Sequence, residues 1–367
     1  MLKKGWGYNP KTESGRSFSS LLLETSKINV IDININKLLK YSSIVLAIFM
    51  VIFLIWWNKK IIIINRPQDI ETSISNNKNL SIISGLECQY TSQRPIAVML
   101  AGDLIDRPLS GLGQADLVFE MPVAPNGITR FMAVFQCEHP EEIGSVRSAR
   151  NEFIPLSAGI GAILVHWGGE HEALTKLNAE IIDNIDAMKY EGTTFYRKSG
   201  LKPPHNGFTD LTRITDKSQE LKYNLSNNFA GYSHEKSADG NKNISNITDE
   251  INVYQAPFDV KWIYDKDANV YKRIHGNTPE IDRGISSQVQ ASVVAVIKTT
   301  SKVLNELYIS VGIPGQGTAS IYQNGIVING TWIKDSSRPD SKLYFYDNNG
   351  KEIEFTAGKI WVEITTN

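Results

Sequence analysis

The chain has 367 residues, of which 41% are hydrophobic, 21% charged and 9% aromatic. This composition is typical of a globular protein of two or three domains, and it excludes a wholly disordered or collagen-like chain. The net charge is −1, but residues 1–66 carry a net charge of +7 and residues 67–367 a net charge of −8. Because the larger part is acidic, we expect no nucleic-acid partner.

The N-terminal region predicts a membrane anchor. Residues 1–40 are polar and are expected to form a cytoplasmic tail, whereas residues 41–57 (YSSIVLAIFMVIFLIWW) contain no charge. Seventeen uncharged residues lie at the short end of what crosses a bilayer as a helix, and aromatic residues stand at both ends of the segment. No small-residue cleavage site follows, which favours an uncleaved signal anchor. A buried hairpin helix is the alternative, and the nearly equal lysine counts on the two sides leave the orientation open.

Residues 58–93 are predicted to form a linker, and folded sequence is expected from 94 onward. Residues 94–215 alternate strand and helix patterns, which predicts a mixed-sheet α/β domain. Its expected elements are a strand at 96–100, a hairpin of 115–123 and 128–136, a helix at 148–159 capped by Ser148, a strand at 161–167 and a helix at 170–182.

Residues 216–250 are polar and are interpreted as a linker or insert. After residue 251 the pattern changes to short strands with turn signals, including Asn324-Gly325, Asn329-Gly330 and Asn349-Gly350. We therefore expect 251–367 to be a mainly antiparallel β domain. The whole fold class is then an α/β domain followed by a β domain, with one N-terminal transmembrane helix.

The chain has two cysteines, Cys88 and Cys137. In a reducing compartment they are two ordinary thiols, and in an oxidising one they can form a disulfide. Glu87 beside Cys88 does not fit a lipid-attachment signal, so a lipid anchor is not expected. Two cysteines and scattered histidines predict no metal site, and no motif predicts a cofactor.

Arginines provide the main candidates for ligand binding. Arg147 and Arg150 stand where the loop meets the predicted helix, a place that suits an anion, although salt bridges to Glu120, Asp103 or Asp106 would explain them equally well. Arg130 lies within an apolar strand and needs a partner, for which Glu120 on the neighbouring strand is the obvious choice.

Two further stretches carry polar groups that could serve a site. His166 ends an apolar strand before two glycines, where ligands gather in α/β sheets, although a buried structural histidine is as good an interpretation. His205 and Asn206 follow two prolines on a rigid loop, which suits either a binding site or an ordinary surface turn.

Several motifs together resemble the YerB-like bacterial family over roughly 94–367. They are RPIAVML (94–100), RPLSGLGQADLVFE (107–120), GITRFMAVFQ (127–136), IGSVRSAR (143–150), ILVHWGG (163–169), PPHNGF (203–208), WIYDKDANVYKRIHG (262–276), NGTWIK (329–334) and GKIWVEI (358–364).

The resemblance implies two domains of unknown function on a lipoprotein or membrane-anchored protein that faces outward. Together with the apolar segment at 41–57, it implies a single-pass membrane protein with its C-terminal domains outside the cytoplasm. This chain departs from the pattern by using an apolar helix in place of a lipidated cysteine. The polar residues of the family's motifs fall here on Glu120, Arg130, Arg147, Arg150, His166, His205 and Asn206.

Three functions fit these observations. The first is an outward-facing module that binds an anionic ligand of the cell envelope, such as a glycan phosphate or a lipid-linked phosphate. The second is an envelope phosphotransferase or hydrolase that uses the same cluster, with arginines stabilising charge and His166 or Glu120 as the acid or base. The third is a non-catalytic scaffold for a protein partner. The sequence alone favours the first function.

Overall fold

The computed structural model describes Met50 and residues 80–235, 248–254 and 259–366. Within these residues no helix combines the length and the apolar character that crossing a membrane requires. Apart from Met50, the predicted anchor at 41–57 lies outside the described residues, as do the predicted tail and the first part of the predicted linker.

Strands dominate the described chain. In order they are β1 (Ile96–Ala101), β2 (Leu117–Pro122), β3 (Thr129–Phe135), β4 (Ile143–Gly144), β5 (Ile163–His166), β6 (Asn184–Asp186), β7 (Tyr196–Arg197), β8 (Gly207–Thr209), β9 (Glu250–Tyr254), β10 (Val260–Asp265), β11 (Val270–His275), β12 (Thr278–Pro279), β13 (Ile281–Asp282), β14 (Ser287–Gln288), β15 (Gln290–Ala291), β16 (Val293–Thr299), β17 (Ser301–Val303), β18 (Ile309–Val311), β19 (Gly315–Gln323), β20 (Ile326–Lys334), β21 (Tyr344–Asp347) and β22 (Ile360–Thr366).

The helices are short and belong to the first half of the described chain. They are α1 (Phe153–Gly159), α2 (His171–Asn178), α3 (Ala187–Tyr190) and α4 (Leu211–Glu220), with 3-10 turns at Leu104–Asp106 and Leu112–Gln114.

One ten-stranded mixed sheet runs through the molecule in the order β21-β20-β19-β16-β22-β2-β3-β1-β5-β6. The predicted hairpin of β2 and β3 is confirmed, and β5 pairs in parallel with β1. A second sheet contains β9 to β12 with β15. The protein is therefore mostly β, with one mixed sheet and smaller, mainly antiparallel sheets.

The last strand corrects the expected arrangement of the two halves. β22 runs parallel to β2 on one side and parallel to β16 on the other, with Leu117 opposite Ile360. Its sequence IWVEI is buried throughout, which suits a strand covered on both faces. Five C-terminal strands, β16, β19, β20, β21 and β22, thus continue the sheet of the α/β part, whereas β9 to β12 with β15 form a sheet of their own.

The helix that the sequence predicts at 148–159 begins five residues later in the structure, at 153. α1 starts at Phe153, and Glu152, not Ser148, is its N-cap residue. A helix from 149 would place Pro155 in its interior, where proline removes a hydrogen bond, whereas a start at 153 places it in the first turn. Residues 147–149 instead pair with their neighbours: Arg147 N–H donates to Met99 and Ala149 N–H donates to Gly168.

Two predicted linkers are partly folded. Ile83 is fully buried and lies in the core beneath Phe229 and Tyr232, so residues 80–93 and 229–232 pack onto the body of the protein. α4 also continues to Glu220, beyond the expected start of the second linker at 216.

One predicted turn is a strand. Asn324 and Gly325 have φ values of 53° and 73° and do form the β19–β20 turn, but Asn329-Gly330 lies inside β20. A Cβ atom at Gly330 would lie 1.9 Å from the carbonyl oxygen of Tyr346. The glycine therefore allows the β21 backbone to approach closely.

Candidate functional site

The hairpin register separates Glu120 from Arg130. Arg130 lies opposite Met121, whereas Glu120 lies opposite Phe131. Because successive side chains point to opposite faces of a strand, Glu120 and Arg130 lie on opposite faces of the sheet. The expected ion pair between them is therefore wrong.

Glu120 belongs to a buried ionic network with residues of the C-terminal half. Its Oε2 accepts from Nη2 of Arg273 at 2.5 Å, and its Oε1 accepts from Thr129 at 2.7 Å. Arg273 also donates to Glu280 at 2.9 Å, and Glu280 in turn pairs with Arg107. Glu120 is 1% exposed and Arg273 0% exposed, so this network is inaccessible to a ligand.

Glu363 completes the network from β22. Its Oε1 accepts from the indole of Trp262 at 2.8 Å and lies 3.9 Å from Nε of Arg273. Burial and the nearby Glu120 carboxylate raise the pKa of Glu363 well above its usual range, despite the opposing effect of Arg273. A neutral Glu363 leaves two arginines, Arg107 and Arg273, opposite two carboxylates, Glu120 and Glu280.

Arg130 has no such partner. The residue is 7% exposed, yet its side chain makes no hydrogen bond or ion pair with any residue in the described part of the chain, and its Nε and Nη1 atoms are buried without acceptors. Burial is the main cause that lowers its pKa to about 9, and the positive charges of Arg150 and Arg147 contribute to the same shift. The side chain therefore stays charged at neutral pH, and leaving a buried charge without a partner is costly.

Arg147 is held in place by neighbours that the structure does show. Its Nη2 donates to Oδ2 of Asp106 at 2.7 Å, and its Nη1 donates to the Pro204 carbonyl. Nδ1 of His205 lies 2.5 Å from Nη2 of Arg147 and 3.0 Å from Oδ2 of Asp106. The prolines before His205 thus position both the imidazole and a carbonyl against Arg147.

Arg150 faces the second half of the chain. Its guanidinium lies 5.1 Å from the ring centroid of Tyr308, and its Nη1 donates to the Ala149 carbonyl at 2.9 Å. Its Nε is buried and finds no acceptor within the described ranges. Burial lowers the pKa of Arg150, against the opposing effect of the carboxylate of Glu170. Arg130, Arg147 and Arg150 together are called the arginine cluster below.

The β17–β18 hairpin brings Tyr308 to this cluster. Glu152, two residues after Arg150, accepts from the backbone N–H of Val311 at 3.2 Å, and Ile309 N–H donates to the Val123 carbonyl. The arginine cluster therefore lies where the two halves of the chain meet.

Comparisons with known proteins place this fold in a family. Residues 83–224 match the description "Protein of unknown function (DUF3048) N-terminal domain", and residues 250–362 match "Protein of unknown function (DUF3048) C-terminal domain". Together they cover more than half of the chain. The chain belongs to the DUF3048 family. The resemblance found in the sequence motifs is thereby confirmed.

One curated relative and one solved structure support the DUF3048 assignment. The chain is 29% identical over 292 residues to the protein named "Putative lipoprotein YerB" of Bacillus subtilis (strain 168), covering 76% of this chain and 83% of that protein. The crystal structure of the YerB protein from Bacillus subtilis superposes with a TM-score of 0.71 at 27% identity, covering 79% of this chain and 97% of that chain.

The arginine cluster draws on both DUF3048 domains. All three arginines lie in the range matched by the N-terminal domain, and Tyr308 lies in the range matched by the C-terminal domain. A site of this kind needs both domains in place, and the shared sheet keeps them together.

Two predicted residues lie apart from the cluster's contacts. His166 is fully buried; its Nδ1 lies 2.8 Å from the Gly168 carbonyl and its Nε2 3.2 Å from Oδ1 of Asn184. Asn206 accepts from Arg197 at 3.0 Å and donates to the Leu201 carbonyl at 3.2 Å. Both side chains have their hydrogen bonds satisfied by the protein, as structural residues do.

Cys88 and Cys137 form a disulfide with their Cα atoms 5.4 Å apart. The bond ties the segment before β1 to the end of β3. Of the two alternatives that the sequence leaves open, the structure adopts the paired one.

The remaining features do not suggest a competing site. In the described part of the chain, no group of three or more His, Cys, Asp or Glu side chains is placed to hold a metal ion. An open groove of about 570 Å³ is lined by residues that include Glu141, Asp210 and Asp216, but by none of the three arginines. Arg213 also lines the groove but is paired with Asp210 at 2.9 Å, and the three carboxylates do not suit an anion.

The sequence offered Asp106 as one salt-bridge partner for the arginines, and its 2.7 Å pair with Arg147 confirms that alternative. Asp103, another partner that the sequence offered, raises the pKa of Arg130 and Arg150 through its negative charge, against the larger effect of burial. Sequence reasoning missed Tyr308, which lies in a hairpin whose polar, irregular sequence shows no strand alternation. For Arg130, the only signal was its place in an apolar strand, which demands an anion but cannot say which.

Proposed function

We propose that this protein is anchored in the membrane, faces outward and binds an anionic ligand of the cell envelope through the arginine cluster. The observation that carries the proposal is Arg130: a charged side chain, 7% exposed, whose Nε and Nη1 lack acceptors among the described residues. A buried guanidinium ordinarily has its donors satisfied, and a bound oxyanion supplies the missing acceptors.

The neighbours of Arg130 support an anionic ligand. Arg147 is fixed by Asp106 and the Pro204 carbonyl, and Arg150 is stacked on Tyr308. Preorganised arginines lose little side-chain entropy when a ligand arrives. His205, whose side chain is 25% exposed, is the accessible member beside Arg147.

The location rests on three supports. Residues 41–57 have the apolar character of a membrane span, a related protein carries the name lipoprotein, and a disulfide is characteristic of oxidising compartments. Protease added to intact protoplasts tests the orientation. We expect residues 80–367 to be digested and the N-terminal tail to be protected; protection of the C-terminal part would contradict the proposal.

Binding is tested on the full chain in nonionic detergent, with pyrophosphate as the probe and tryptophan fluorescence as the readout of thermal unfolding. A ligand that binds only the folded state raises the melting temperature. We expect the wild type to respond and Arg130→Met to lose the response. The exposed Arg338 provides the matched control, and Arg338→Met is expected to respond like the wild type.

The stability of Arg130→Met separates a ligand-binding role from a structural one. Methionine fits beside Met121 and Met132 on the same face of the sheet and removes a buried charge without a partner, so ligand-free stability should be maintained or increased. A less stable Arg130→Met, with no pyrophosphate response in the wild type, would make the arginine structural and overturn the proposal.

A further inference from the structure

Two exposed apolar turns adjoin the arginine cluster. The first is the 3-10 turn of Leu104 and Ile105, whose side chains are 55% and 72% exposed. Asp106, which ends this turn, binds Arg147 directly at 2.7 Å. The turn is therefore attached to the arginine cluster through Asp106.

The second turn belongs to the β17–β18 hairpin. Val303, Leu304 and Leu307 are 61%, 52% and 67% exposed. The hairpin tip closes on Tyr308, whose carbonyl accepts from Leu304 N–H at 3.0 Å, and the ring of Tyr308 lies against Arg150.

Exposed apolar side chains are usually scattered over a protein surface. Here five of the twelve large exposed hydrophobic residues of the described chain fall on these two turns. The first turn reaches Arg147 through Asp106, and the second reaches Arg150, whose Nε has no acceptor among the described residues, through Tyr308. This combination presents an apolar surface next to a cationic site.

We infer that the ligand is an anionic amphiphile, with a phosphate head bound by the arginine cluster and an alkyl chain resting on the two apolar turns. The inference rests on the proposed function and adds the chemical class of the ligand. A water-soluble glycan phosphate would use the arginines but would leave Ile105 and Leu307 uncovered. An amphiphile covers both the charge and the apolar surface.

Methyl, butyl and octyl phosphate test the inference with the full chain in phosphatidylcholine nanodiscs, with the free concentration of each phosphate measured. A buried methylene strengthens binding by up to about fourfold, so octyl phosphate should bind at least about tenfold more tightly than methyl phosphate. In Ile105→Ser/Leu307→Ser we expect methyl phosphate to bind as before and the gain from chain length to disappear. Both residues are exposed, so the double variant should fold normally.

One control variant and three possible outcomes separate the ways in which the inference could fail. Val327→Ser replaces an exposed apolar residue on β20, four strands from β2 in the sheet order, and should keep the chain-length gain. Equal affinities for methyl and octyl phosphate in the wild type would overturn the amphiphile inference alone. No binding of any phosphate would instead refute the anion site. A gain that persists in Ile105→Ser/Leu307→Ser would place the alkyl chain in the bilayer and also overturn the inference.

Discussion

Glu120 and Arg273 form a fully buried ion pair, 2.5 Å from Oε2 to Nη2, between strand β2 of one DUF3048 domain and strand β11 of the other. The pair lies on the face of the sheet opposite Arg130. The two faces of the β2–β3 hairpin thus differ: one carries a charge network that is closed within the protein, and the other carries a buried arginine whose Nε and Nη1 find no acceptor among the described residues.

Removing Arg273 should destabilise the protein strongly. Arg273→Met leaves Glu120 and Glu280 without their shared partner, and breaking a buried pair from one side costs about 3–5 kcal/mol of unfolding free energy. Denaturant unfolding of the full chain measures the loss. Arg338→Met removes an exposed ion pair in which Nε of Arg338 lies 3.8 Å from Oδ1 of Asp340. This variant should change the free energy of unfolding by less than about 1 kcal/mol. Similar losses in the two variants would contradict a structural role for the network.

The network should also give a pH-dependent stability through Glu363. Its folded-state pKa lies well above the ordinary value of 4.5, so the folded state holds this proton more tightly than the unfolded state. The stability that this group contributes is complete below its unfolded pKa and is lost as pH rises toward the folded pKa. Glu363→Gln cannot ionise and still accepts from Trp262.

Melting temperatures between pH 5 and pH 9 test this prediction. We expect the melting temperature of Glu363→Gln to exceed that of the wild type by an amount that grows with pH. A constant difference over the whole range would mean that Glu363 is ionised throughout.

Tyr308 should support anion binding from the C-terminal domain. Its ring lies 5.1 Å from the Arg150 guanidinium, and a contact of this kind is worth about 0.5–1 kcal/mol. Tyr308→Ala should therefore weaken pyrophosphate binding about two- to fivefold, because Arg150 gains freedom that binding must remove. Tyr308→Phe keeps the aromatic face and should bind like the wild type. Titration calorimetry distinguishes the two variants, and equal losses would assign the effect to the hydroxyl.

The sequence predicted the local elements better than the long-range contacts. The β2–β3 hairpin follows from two apolar runs and a turn signal, but its register decides which residues meet, and Glu120 and Arg130 could not be separated without it. α1 was placed too early because a serine N-cap outweighed Pro155, whose position limits where a helix can begin.

The arginine cluster was predictable in part. Arg130, Arg147 and Arg150 stand out because their chemistry demands acceptors, and Asp106 could be named as one of three possible partners. Tyr308 lies in an irregular segment without periodicity and could not be named. The pairing of β22 with β2 joins residues about 240 positions apart in the chain, and no local pattern encodes such a contact.

The disulfide between Cys88 and Cys137 should contribute substantially to stability, because it closes a segment with a sequence separation of 49 residues. Restricting the unfolded chain in this way is typically worth about 2–4 kcal/mol. The free energy of unfolding, measured with denaturant, should be lower by about that amount in Cys88→Ala/Cys137→Ala. A reducing agent should lower the free energy of unfolding of the wild type by a similar amount and should leave that of the variant unchanged. Alkylation followed by mass spectrometry of protein taken from cell envelopes, without reduction, checks the bond itself. Modification of both thiols would show that the cysteines are free in the cell and would remove one support for an outward orientation.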